Sequence, residues 1–288
     1  MSTLAEKRPQ TGFTADVQVY EPHRAGLPPL GAYISELWRR REFAFELART
    51  NLRSQHFNTA LGQLWLILNP LLLGLVYFML VEIIGRGNRG IDFLAHLLLA
   101  LFAFRLVSSS VSQGARSVVG GGRLILNSAF PRTLLPLSSV LTSFMLFLPT
   151  LAVYAIIHAM AGLPVTPQIL WAIPIIAMLI LLAAGIAMLV ATVQVYFRDL
   201  TNFLPYAMRI WLYASPVLYF AYQVPPKFKP ILAANPLYPL LTSLSDTVNL
   251  GREPRPMLML WGLGWAVGLF VIGSLFFISR EREFAVRL

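Results

Sequence analysis

From Gly31 to about Arg53 the apolar residues Ile34, Leu37, Trp38, Phe45, Ala48 and Leu52 recur at helical spacing, and Arg39, Arg40, Glu42, Glu46 and Arg49 lie largely opposite them. This pattern predicts an amphipathic helix, either lying in a lipid headgroup plane or packed on a partner. Further along, the polar positions disappear. Trp65–Val81 carries no charge, and at about 1.5 Å per residue Trp65–Ile84 is long enough for the roughly 30 Å hydrocarbon slab. A short Gly/Arg turn over 85–90 leads into a second expected crossing, Ile91–Val111. No Asp, Glu, Lys or Arg occurs from Thr133 to Phe197, and Gly162–Gln168 interrupts that interval, which predicts two helices, 138–161 and 169–195. Phe203–Tyr222 and Met257–Ser279 are the expected fifth and sixth spans. Between them, 223–256 holds an apolar stretch, Pro230–Ser245, interrupted by Pro236 and Pro239. It is too short to cross and reads as a re-entrant or interfacial helical hairpin.

The expected fold is therefore an all-α, polytopic membrane protein with six transmembrane helices, an N-terminal amphipathic interface helix and an external re-entrant hairpin before the last span. Its expected divisions are an arm over 1–30, the interface helix over 31–64, a membrane domain over 65–279 and a tail over 280–288. Within the membrane domain, 112–137 is a connecting segment on the side of the termini and 223–256 is the hairpin.

Composition agrees with that reading. Hydrophobic residues make up 57% of the chain and charged ones 12%, about half the roughly 25% usual for a soluble domain, so a charged shell cannot be built. Residues 1–64 hold no apolar core of the kind a signal peptide needs. Fifteen of the 23 Lys and Arg residues flank one side of the expected spans and six the other, which puts both termini in the cytoplasm. The net charge of +10 rests on arginine, lysine occurring only at Lys7, Lys227 and Lys229. Cations that flank spans favour anionic membrane lipids as partners, and no nucleic acid.

Without cysteine there is no disulfide framework and no thiolate zinc site, and His23, His56, His96 and His158 stand too far apart for metal-ligand spacing. No metal and no cofactor is expected on this chain. Glu82, Asp92, Asp199, Asp246 and Glu253 fall at span ends or outside, which counts against a membrane-embedded glycosyltransferase or an ion-coupled carrier. No lysine follows the glycine pattern of a phosphate loop. If the chain takes part in active transport, its energy source lies on another chain.

Several segments resemble one family. Leu47–Pro70 runs from an arginine-bearing amphipathic stretch through Leu61-Gly62 and Trp65 to Asn69-Pro70. Val195-Tyr-Phe-Arg-Asp-Leu200, Tyr213-Ala-Ser-Pro-Val-Leu-Tyr219 and Asn235-Pro-Leu-Tyr-Pro239 follow in order. Together they resemble the permease subunit of type-2 ABC exporters for polysaccharides, Wzm-like, and the arm Gly12–Arg24 resembles the actinobacterial version that exports lipid-linked galactan. The resemblance implies a non-enzymatic subunit of a homodimer with two copies of a separate ATPase, which holds the ATP and Mg. The implied cargo is a polyprenyl-pyrophosphate-linked polysaccharide, galactan or O-antigen-like; teichoic acid or another amphiphile is the alternative.

Candidate residues follow from position and from that likeness. The stretch Arg123–Pro136 is too apolar for a solvated loop, so it either packs on the chain's own interface helix or, as the resemblance implies, docks on the ATPase through Arg123, Leu124, Ile125, Asn127, Pro131 and Arg132. Arg198 and Asp199 are either ordinary span flanks with a helix N-cap or, by resemblance, a cytoplasmic latch. Arg105 and Arg209 lie within expected spans with no acid nearby in sequence, so they snorkel to headgroups or guide a pyrophosphate through a wet cavity. The aromatic residues Trp65, Tyr77, Phe104, Tyr206, Trp211, Tyr213 and Tyr219 are interface-belt residues or a sugar-stacking channel lining. Asn235 and Pro236 mark the expected turn of an external gate.

Overall fold

The computed structural model describes residues 29–54, 61–84 and 90–288, without the side chains of Gln63 and Ile84. The expected N-terminal arm lies outside the described residues apart from Pro29 and Leu30. Among the described residues every regular element is helical. Five helices are long and apolar enough to cross a membrane: Trp65–Ile83, Gly90–Gly120, Leu134–Met160, Pro167–Tyr196 and Pro256–Arg287.

The expected interface helix is two helices, α1 (Leu30–Arg39) and α2 (Arg41–Ser54), with a turn at Arg40 between them. Its small residues and its large ones part company. Ala44 and Ala48 are buried, and the Thr142 hydroxyl reaches the Ala48 carbonyl at 3.4 Å, whereas Ile34, Trp38 and Phe45 stay exposed. One face is thus held by the chain itself and the other stays exposed.

Helix α3 (Trp65–Ile84) follows, then α4 (Gly90–Gly120). These two differ most: 72% of the apolar window of α4 is buried against 11% for α3, so α4 is the central post and α3 a largely open one. The 31 residues of α4 span roughly 46 Å, well beyond the slab. The expected second span ended at Val111, but the helix runs nine residues further, through a stretch expected to be a glycine-rich connection. Two things hold it helical. The Ser110 and Ser117 hydroxyls donate to carbonyls of their own helix at 2.7 Å. A Cβ on Gly114 would stand 2.7 Å from that of Ala187, so the missing side chain lets two backbones meet and offsets the roughly 1 kcal/mol helix cost of glycine.

The short α5 (Gly122–Asn127) leads to α6 (Leu134–Met160) and α7 (Ala172–Tyr196). Pro136 does not break α6, because it sits in the first turn, where the N–H has no helical partner to lose. Against α7 packs α11 (Pro256–Arg280). A Cβ on Gly185 would collide with the Leu269 carbonyl and one on Gly273 with the Gly185 carbonyl. That close crossing is what dispersion-driven association in lipid requires, since apolar side chains gain nothing by leaving lipid tails.

The expected fifth span, Phe203–Tyr222, is helical only over α8 (Leu200–Ala214), 15 residues or roughly 22 Å. Pro216 explains the early stop: the preceding Ser215 is driven into extended backbone, at φ −100° and ψ 152°. From there the chain reaches Phe220, whose ring lies 4.2 Å from that of His96 near the start of α4. It then runs through α9 (Lys229–Ala233) to Asn235 and returns through α10 (Leu237–Val248). Asn235 bonds to Trp211, which packs edge-on against Phe104, while Ser245 bonds to His96 and Tyr154 donates to Asn249. The 220–249 segment therefore descends from the level of His96 to that of Phe104 and climbs back.

The opposite end of the bundle collects the remaining pieces. After α11 the chain makes a short turn and α12 (Phe284–Arg287), with Phe284 fully buried edge-on against Phe277, 5.1 Å between centroids. The expected tail over 280–288 is folded against the bundle through Phe284.

Candidate functional site

Arg105, Ser109, Gln113 and Arg116 follow at intervals of four, four and three on α4, which puts them on one face. Across from them α6 presents Ser138, Ser139, Ser143 and Thr150. The Gln113 amide donates to the Ser109 hydroxyl at 2.7 Å and to the Ser143 hydroxyl at 3.2 Å, and Ser143 donates to Ser109 at 3.2 Å. Two cavities meet at Gln113. One, about 110 Å³, is closed by Trp65, Asn69 and Pro70 of α3 and holds Arg105, Ser109, Ser143, Phe147 and Thr150. The other, about 410 Å³, is closed by Leu47, Asn51 and Ser54 of α2 and holds Arg116, Ser117, Ser138 and Ser139. The result is a polar furrow between α4 and α6, entered beside the interface helix and reaching an exposed Arg105 midway along α4. Arg105 forms no ion pair among the described residues.

The furrow borders an aromatic face. Phe203, Tyr206, Ile210 and Tyr213 recur along α8, each exposed, Tyr206 at 64%. Tyr77 of α3 stands beside Tyr213 and Arg209 of α8. Tyr219 is half-buried and lines a cavity of about 430 Å³ with Tyr213 and Phe228. Trp65 lines the furrow instead. Phe104 is 5% exposed and sits edge-on to Trp211 at 6.1 Å, so this candidate lining residue is a core residue that supports Trp211.

Asn235 is also buried, at 7% exposure. Its Oδ1 accepts from Trp211 Nε1 at 2.9 Å and from the Leu237 N–H at 3.0 Å, and its Nδ2 donates to the Ala214 carbonyl at 3.1 Å and to Ser215 Oγ at 2.8 Å. Every hydrogen-bonding capacity of the side chain is used. Asn235 is a pin between α8 and α10, and Pro236 begins the helix beside it.

At the other end, the candidate docking residues divide. Ile125 and Pro131 are buried and Leu124 half-buried, while Arg123, Asn127 and Leu126 face outward, Leu126 at 62% exposure. Arg132 is engaged within the chain: its backbone N–H donates to the Glu281 carboxylate and its guanidinium to the Glu281 carbonyl. Tyr33 donates to Glu281 Oε2 at 2.6 Å, so the Thr133 hydroxyl, 2.5 Å from the Tyr33 oxygen, is the donor of that pair. Burial first, and the Glu281 charge second, hold the Tyr33 hydroxyl well above its ordinary pKa. Arg40 donates to the Ala129 carbonyl at 2.6 Å, and Phe43 meets Phe130 at 5.1 Å. Interface helix, connecting segment and tail are one tied body. Arg198 donates to the Arg287 carbonyl at 3.4 Å. Asp199 occupies the N-cap position of α8 without a side-chain capping bond.

A family model described as ABC-2 type transporter matches residues 44–248, a stretch that holds the furrow, the α8 aromatics and Asn235. The chain belongs to the ABC-2 type transporter family. It is similar to an O-antigen export system permease protein, RfbA, of Myxococcus xanthus, 30% identical over 88% of this chain and 97% of that one. It is also similar to the RfbA permease of Klebsiella pneumoniae, 29% identical over 68% of this chain and 76% of the relative. As a type-2 ABC permease, Wzm-like, the chain is a multi-pass membrane transport subunit, which removes the glycosyltransferase and ion-coupled-carrier alternatives. Family membership implies pairing with an ABC ATPase.

This ABC-2 permease contains functional candidates that reading along the sequence passed over. Ser109, Gln113 and Ser143 were visible only as serines and a glutamine in apolar helices, although the four-residue spacing from Arg105 was a usable signal. Glu281 and Tyr33 carried none, being partners across most of the chain.

Proposed function

We propose that this permease is one half of a homodimeric, ATP-driven exporter that moves a lipid-linked cell-envelope polysaccharide across the bacterial cytoplasmic membrane, both termini cytoplasmic. The observation that carries the reading is the furrow: a groove with serine hydroxyls, arginine at both levels and no acid among the described residues, opening beside the interface helix. Arginine offers a planar fork of donors to phosphate oxygens, so Arg116 and then Arg105 receive the polyprenyl pyrophosphate, with Arg209 at the neighbouring α3–α8 face. Serine and glutamine groups exchange hydrogen bonds with it at small cost. Tyr77, Tyr206, Tyr213 and Tyr219 present flat rings on which sugars slide without a tight site.

The end formed by α5, Leu126 and the tied tail is the docking surface for the ATPase, where ATP and Mg act, and Arg198 latches it to Arg287. The segment around Asn235 and Pro236 is the re-entrant external gate. The likeness to O-antigen permeases supports a polysaccharide cargo, and the resemblance to galactan exporters makes lipid-linked galactan the first cargo to assay, ahead of teichoic acid. The test is depletion of the protein followed by mass spectrometry of the lipid-linked glycans retained inside the cell. Accumulation of one such glycan, reversed by the parent gene and reversed weakly by R105Q, is the expected result; an unchanged pool refutes the reading.

A further inference from the structure

A further cavity, about 430 Å³, lies at the far end from the tail and shares no residue with the furrow. Its volume falls in the roughly 300–1,000 Å³ range of small-ligand sites. One wall is a column of rings, His96 on Phe220 at 4.2 Å and Phe220 stacked on Tyr222 at 5.2 Å. The facing wall is the α10 face carrying Tyr238, Thr242 and Asp246, with Trp261 of α11 beside it and Lys229 and Arg255 at the rim.

Asp246, Lys229 and Arg255 form no ion pair within 4 Å among the described residues, and Thr242 Oγ1 is buried without a hydrogen-bond partner. Burial raises the Asp246 carboxyl above its ordinary pKa, and Arg255 and Arg252 draw it back down. The charge pattern selects the ligand. A phosphate would meet the Asp246 carboxylate, and a simple cation would meet Lys229 and Arg255. A neutral polyol satisfies both: its hydroxyls donate to the carboxylate and accept from the cations, and its C–H face lies on Trp261 or Tyr222, both exposed.

We propose that this cavity is a saccharide-binding subsite that holds one neutral sugar unit of the glycan apart from the furrow. It rests on the reading that the cargo is a polysaccharide and deepens it. A sugar held there is kept from sliding back, which gives a processive exporter a ratchet on its far side.

The test is saturation-transfer NMR on the full-length protein in lipid nanodiscs, with neutral oligosaccharides released by mild acid from the host's own lipid-linked glycans as probe. Transfer to one face of a sugar ring is expected, reduced about fivefold or more in W261A and D246N, as loss of one stacked ring or one charged acceptor entails, and kept in W261F. Parent-like melting of each variant establishes that it is folded, and K229Q supplies a third, surface variant. Equal transfer in all variants overturns the proposal. So does transfer to glycerophosphoethanolamine that W261A and D246N abolish while the saccharide signal persists, which assigns the cavity to a lipid headgroup. An unchanged glycan pool on depletion defeats the cargo reading; glycan accumulation with unaltered binding in the variants defeats only this subsite.

Discussion

Replacing Asn235 by alanine should loosen the α8–α10 junction by an amount the structure allows to be worked out. The side chain holds four groups, and two of them, the Trp211 Nε1–H and the Leu237 N–H, are donors with no other partner. Ser215 Oγ keeps its bond to the Trp211 carbonyl at 2.7 Å, so it loses little. An orphaned buried donor costs about 1–3 kcal/mol, so the two together cost about 2–6 kcal/mol, a large share of the roughly 5–15 kcal/mol that holds a domain together. The neighbouring P236A removes no hydrogen bond and should cost under about 1 kcal/mol. Thermal unfolding of purified protein in detergent, followed by tryptophan fluorescence, reads both.

The junction can also be probed chemically, because the chain has no cysteine. N235C, at a position 7% exposed, should resist a membrane-impermeant thiol reagent, whereas K229C, on an exposed residue, should react. If N235A unfolds within about 0.5 kcal/mol of the parent, the four-bond pin is not what joins α8 to α10. Rapid labelling of N235C in the folded protein would refute its burial.

Three further outcomes are expected. L126D, at an exposed position, should leave expression and melting within about 0.5 kcal/mol but cut co-purification with the ATPase at least tenfold, since a carboxylate would be desolvated on docking; I125D should instead unfold the chain. Y33F removes the hydroxyl shared by Glu281 and Thr133 and should destabilise by about 1–2 kcal/mol, read by limited proteolysis at the tail. G185V should abolish folded protein, as its side chain would enter the α11 backbone, while G264A, which meets nothing within 4 Å, should be tolerated, as gel filtration will report.

The structure moved several boundaries for identifiable reasons. The second span was expected to end at Val111 because Ser112–Gly122 is polar and rich in glycine, yet glycine and serine are helix-compatible where a second helix, here α7 at Ala187, presses close and each hydroxyl returns to its own backbone. The fifth span was expected to run to Tyr222 because the stretch is apolar apart from Arg209 and Ser215, yet Pro216 ends the helix and Asn235, across the fold, takes up the Ala214 carbonyl. Arg132, in a segment expected either to dock on the ATPase or to pack on the chain's own interface helix, is bonded to Glu281 across the fold.

Hydropathy, charge flanks and proline positions by themselves determined that this chain is a helical membrane protein, where most of its long helices lie and which family it resembles. These are local properties: a helix must be some 20 residues long to cross the slab, and a charge inside it is costly wherever it sits. Which face of each helix meets protein was decided only by the tertiary structure. Lipid tails are as apolar as leucine, so a helix such as α7, apolar all round, carries no pattern that separates a lipid-facing side from a packed one. Its orientation is set by small residues at Gly185 and Ala187 meeting glycines on two other helices. The polar furrow depends on that choice, since Ser109, Gln113 and Ser143 become a site only when α4 and α6 turn the same faces toward each other.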